Sequence, residues 1–175
     1  MRISLYSRIL GKSFTSLSPV LRKFHACEGV AQADGSMDVE RPAGKFVALI
    51  AWLGGLPKPG REISARLTVT TIGDGERWER WFRERRLVSW QREWRGMLLE
   101  SFGPWTVAFE LVVDGGGISF SQRHVWWFGL PWLTRLGPQI IARIRPTDAG
   151  WNVDVRVALP LVGQIVHYYG NMQSR

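Results

Sequence analysis

Arg80, Ser89, Gln91, Glu100 and His124 are the polar residues whose types and spacing could do chemistry in this chain. Trp78, Arg80 and Phe82 alternate along one short run, so in a β-strand all three side chains leave the same face. Ser89 and Gln91 share a face of the run that follows. Glu100 lies between Leu98 and Phe102, in an equally apolar setting. An arginine among aromatic rings requires a carboxylate or several acceptors, because an unpaired buried charge is very costly. Two readings stay open. Arg80 and Glu100 orient an anionic or carbonyl-bearing ligand in an apolar cavity, or they form a salt bridge that fixes the sheet; the second carries more weight, because structural ion pairs have the same signature. A third use of the same residues is enzymatic, with Glu100 or His124 as acid/base and Arg80 as an electrostatic clamp.

Other motifs fail on inspection. Gly11-Lys12-Ser13 resembles the end of a phosphate-binding loop, but Tyr6 stands where the motif needs its first glycine. Gly115-Gly116-Gly117 sits between two alternating runs and reads as a hairpin turn. His25, His124 and His167 are far apart in sequence and lack metal-ligand spacing, so neither a metal nor a cofactor is expected. Cys27 is the single cysteine. With no sign of an activated thiol it reads as a buried structural residue, and no internal disulfide can form.

The elements that must position the polar set are strands. Ser18-Pro19 starts a short helix reaching Ala26, and a second helix spans Gly44 to Leu53, stopped by Gly54-Gly55. Glu28 to Arg41 reads as a strand or hairpin interrupted at Asp34-Gly35. From Leu67 onward, alternating runs succeed one another between turn signals. One face of them is Trp105, Val107, Phe109, Leu111 and Val113; another is Ile118, Phe120, Gln122, His124 and Trp126. A final short strand spans Gln164 to Tyr169. Adjacent strands rotate by about 20–25°, so this many consecutive hairpins cannot lie flat. The expected fold is α+β and mainly antiparallel β: a strongly curved meander sheet or open β-barrel with two short N-terminal helices packed on it.

At 175 residues, 45% of them apolar and 22% charged, the chain reads as a single globular domain over 1–175. Ten tryptophans are many for this length, and most read as core fillers. The net charge is +8, yet Glu79, Glu84 and Glu93 break up the arginines between Arg77 and Arg95. Nucleic-acid binding is therefore not expected. The N-terminus lacks the apolar core of a signal peptide, and the longest apolar stretch, Phe46 to Leu56, is about half of what a membrane span needs. A cytoplasmic location follows as the default.

Several patterns occur in an order that resembles one bacterial family. They are Leu21-Arg22-Lys23-Phe24-His25, Trp78-x-Arg80-x-Phe82, Ser89-x-Gln91, Leu99-Glu100-Ser101-Phe102-Gly103-Pro104, and Pro160 through Gln164 to Tyr168-x-Gly170. Together they are similar to domain-of-unknown-function family 4166 over nearly the whole chain. The resemblance implies a stand-alone member of a family that also occurs fused to reductase-like domains, so a reductase-like protein partner is one expectation. It implies no substrate.

The residues favour an accessory domain holding a small apolar or amphipathic molecule. Trp78, Phe82, Trp105 and Phe109 supply wall, and Arg80, Ser89, Gln91, Glu100 and His124 supply orientation. The aromatic segment Trp126 to Leu133 is expected to pack down and close one end of the barrel. Were it exposed, it would suit a protein partner or a peripheral membrane contact instead.

Overall fold

Each alternating run becomes a strand, and paired turn residues end it. Gly115 and Gly116, with φ of 55° and 76°, both take the left-handed conformation of a tight two-residue hairpin, and Asp114 pairs with Gly117 beneath them. The computed structural model describes residues 3–26, 28–53 and 55–175, which leaves Cys27 and the Gly54 of the helix stop outside the described residues.

Among the described residues eleven strands form: β1 (Val30–Glu40), β2 (Gly60–Ile72), β3 (Gly75–Phe82), β4 (Arg85–Trp94), β5 (Met97–Phe102), β6 (Trp105–Asp114), β7 (Gly117–Trp127), β8 (Leu130–Trp132), β9 (Gln139–Pro146), β10 (Trp151–Leu159) and β11 (Gly163–Ser174). Every pairing is antiparallel, in the order β6-β5-β4-β3-β2-β1-β11-β10-β9-β7, and β6 pairs with β7 to close the ring. The curved sheet is thus a closed ten-stranded barrel. The short β8 folds back on the free end of β7.

One end of the barrel is filled by the N-terminal segment. Helix α1 (Leu5–Leu10), a 3-10 turn (Gly11–Ser16) and α2 (Pro19–His25) bury Leu5, Tyr6, Leu10, Phe14, Leu21 and Phe24 in it. Ser18 caps α2, its hydroxyl accepting from the Leu21 N–H at 3.4 Å, and its own N–H donates to the Gly116 carbonyl at 2.9 Å. Arg8 adds a hydrogen bond to the Asp74 carbonyl, tying α1 to the β2–β3 turn. Helix α1 is an addition to the two expected helices. Six residues are too few to stand out as a periodic pattern, and packing rather than propensity holds them helical. Helix α3 (Lys45–Leu53) connects β1 to β2 at the opposite end.

Two strands run longer than their sequence signals. β1 continues straight through Asp34-Gly35, and β11 runs on through Gly170 to Ser174. These glycines are not turns. A Cβ on Gly35 would lie 1.9 Å from the Asn171 carbonyl oxygen, and one on Gly170 would lie 2.0 Å from that of Ser36. The two strands approach so closely that neither position has room for a side chain.

Candidate functional site

The strands enclose a hollow of about 440 Å³, in the range of small-molecule pockets. Its wall is mostly apolar, with Phe82, Phe109, Phe120, Ile144, Val153 and Val155 among its residues. Tyr6, Phe24 and His25 form its floor at the helical end. At the other end it reaches the exposed Gly103-Pro104 turn, Leu159, and Ile50 of α3.

Trp78, Arg80, Phe82, Ser89, Gln91 and Glu100 all line this hollow. Alternation on β3 turns Trp78, Arg80 and Phe82 inward, and the register sets Trp78 opposite Ser89 and Gln91 opposite Glu100. Arg80 Nη1 donates to Ser89 Oγ at 2.8 Å and Nη2 to Glu100 Oε1 at 3.0 Å; Ser89 Oγ donates to the same carboxylate oxygen at 2.5 Å. The guanidinium carbon lies 4.9 Å from the Trp78 ring centroid, a cation–π distance. Gln91 Oε1 accepts from Tyr6 Oη at 3.0 Å.

Burial is the largest influence on Arg80 and works to lower its pKa, but the Glu100 charge and hydrogen bond together with the neighbouring Tyr168 and Tyr6 oxygens raise it overall, so the guanidinium stays ionised. Arg80 and Glu100 make a charge-balanced pair on the cavity wall. Tyr168, on β11, faces them. Burial pushes its phenol pKa up, against the pull of Arg80, so it is neutral at pH 7. Among the described residues, Tyr168 Oη makes no hydrogen bond, which leaves a donor and acceptor turned toward the hollow. His25 stacks on Tyr6 with ring centroids 3.9 Å apart, and burial lowers its pKa to about 3, so it too is neutral.

His124 is the exception among the expected site residues. It is exposed on the outer surface, its ring 5.7 Å from Trp94 and 5.8 Å from Trp126. The cause is a β-bulge. Phe109 pairs with Gln122 but Ala108 pairs with His124, so Arg123 is an inserted residue and the alternation slips by one. Val125 then takes the inward place that unbroken alternation assigned to His124. The Gln122 side chain fills the interrupted seam, accepting from the Ile140 N–H at 3.0 Å and donating to the Pro138 carbonyl at 2.8 Å.

The aromatic segment also departs from expectation. Trp105, Trp127 and Trp132 pack against one another in tilted and edge-to-face contacts, but Phe128, Leu130 and Leu133 are about 70% exposed, so the segment does not plug the barrel. The helical plug fills one end instead, and the aromatic loop stands at the other.

Sequence reasoning passed over Tyr6, His25 and Tyr168. His25 and Tyr168 belong to the first and last patterns of the family resemblance, which was the available signal. Tyr6 had none, because α1 was not recognised. Among the described residues no three His, Cys, Asp or Glu side chains converge as a metal-binding group, and no helix is long and apolar enough to cross a membrane.

A closed antiparallel barrel with a helical plug and an apolar interior carrying one charge-balanced polar cluster is the class of protein that these features define. Residues 17–172 match the family described as Domain of unknown function (DUF4166), and the chain belongs to that family. No protein with a curated description matches it, and no solved structure does.

Proposed function

We propose that the barrel binds a small, mainly apolar molecule with a neutral, hydrogen-bonding head such as a hydroxyl or carbonyl. The carrying observation is the hollow of about 440 Å³ whose polar cluster, Arg80 with Glu100, already balances its own charge beside the unpaired Tyr168 Oη. An anionic head would meet Glu100 as well as Arg80, and would have to displace it to gain a cation. A neutral head needs only Tyr168 Oη and the remaining lone pairs of Glu100. Acid/base chemistry is less well supported, because His124 lies outside and Arg80 and Ser89 already occupy one oxygen of Glu100.

The test is a titration with dodecanol against dodecanoate, followed by tryptophan fluorescence, alongside native mass spectrometry of gently purified protein. Tighter binding of the alcohol, by ~10-fold or more, is the expected result, since one well-placed hydrogen bond is worth about 1 kcal/mol and an uncompensated charge costs more. The alcohol's binding should vanish in A142W, which fills the hollow. Equal or tighter binding of the carboxylate overturns the neutral head. No binding of either, with no co-purified molecule, overturns the cavity as a binding site.

A further inference from the structure

The two ends of the barrel carry different surfaces. At the helical end the hairpins close with Gly73-Asp74, Arg95-Gly96 and Gly115-Gly116. At the other end, where the hollow reaches Gly103-Pro104, the connections carry large apolar side chains on their tips. Phe46 and Leu49 project from α3, Phe128, Leu133 and Leu136 from the β7–β9 segment, and Leu161, with no shielding at all, from the β10–β11 turn. Leu161 also holds a positive φ of 65°, at a turn position where a polar or glycine residue is usual. Exposed cations stand among these tips: Lys45, Lys58, Arg83 and Arg135, against Glu84 alone in the same connections.

We infer that this end of the barrel docks on the surface of an anionic lipid bilayer. Apolar side chains raised on separate loops, with cations on three of the connections at the same end, suit the headgroup region. The tips reach the acyl boundary while lysines and arginines stay at the level of the lipid phosphates. A protein partner would instead require these tips to form one continuous surface. Charge complementarity favours the same occupant, because the chain carries +8 overall and the connections at this end are predominantly basic. Docking in this pose turns the mouth of the hollow toward the lipid. The inference rests on the exterior alone and holds whether or not the hollow takes a ligand.

The full chain is sedimented with phosphatidylcholine vesicles and with vesicles that also contain phosphatidylserine. Binding to the mixed vesicles should exceed that to the neutral ones by ~10-fold and weaken as salt rises. The triple variant F128D/L133D/L161D should lose at least ~10-fold in vesicle binding while keeping its melting temperature and dodecanol affinity, since all three side chains are exposed. Should that variant misfold, K45E/K58E/R135E tests the same surface by its charge. Failure of the wild type to sediment with anionic vesicles overturns the inference, as does binding that neither variant reduces. A concentration-dependent dimer by light scattering, abolished by the apolar variant, would assign the surface to a second copy and overturn it too.

Discussion

Arg80 on β3 and Glu100 on β5 meet at 3.0 Å across the intervening strand β4, with the Ser89 hydroxyl of β4 bonded to both. Three strands are thereby linked inside the barrel wall. Removing one charge leaves the other in an apolar interior, so E100Q should destabilise the fold by about 3 kcal/mol in urea unfolding. The double variant R80M/E100M should lose clearly less than the sum of R80M and E100M, because an uncompensated charge no longer remains. Additive losses would show that the pair is not coupled.

On the proposed function, Tyr168 should separate binding from stability. Its Oη makes no hydrogen bond among the described residues, so Y168F removes little from the folded state, less than about 1 kcal/mol. Dodecanol affinity should nonetheless fall by ~5–10-fold. An unchanged affinity would place the head elsewhere in the hollow.

His25 gives stability a pH dependence of definite sign. Its pKa is about 3 in the folded protein against about 6.5 in an unfolded chain. Between those values the unfolded state binds a proton that the folded state does not, so stability is complete well above pH 6.5 and falls as pH drops through 6.5 toward 3. About 1.6 kcal/mol should be lost between pH 6.5 and 5. H25F keeps a ring against Tyr6 and does not titrate. It should therefore remove this slope when guanidinium midpoints are compared at the two pH values. Glu76, whose pKa burial raises, acts in the opposite sense, and the wild-type-minus-variant difference cancels it.

Gly35 and Gly170 mark where β1 and β11 press together. A Cβ at either position would meet a backbone carbonyl oxygen at about 2 Å, and backbone cannot yield as a flexible side chain does. G35A and G170A should each cost more than about 2 kcal/mol, read as a fall in thermal midpoint. Near-neutral effects would show that the strands separate more easily than their packing implies.

Alternation was legible because strand geometry is local. Trp78, Arg80 and Phe82 share a face by backbone period alone, and so do Ser89 and Gln91. Of the eight residues expected on the cavity wall that do line it, five belong to these two stretches, and Glu100, Trp105 and Phe109 follow the same rule on the next two strands. Ser18-Pro19 likewise marked the start of α2 through the chemistry of its own cap. The placement of His124 depended on the pairing of β7 with β6, where one extra residue reversed the face. Gly35 looked like a turn because its reason for being glycine is Asn171, more than a hundred positions away.

What the chain by itself determined was the run of hairpins, their inward faces and the polar cluster on them, since each depends on residues close in sequence. Closure through the β6–β7 pairing, the helical plug, the approach of Tyr168 to Arg80 and the projection of the aromatic loop were decided only in three dimensions. All of these depend on which distant strands become neighbours, and a local period carries no information about that.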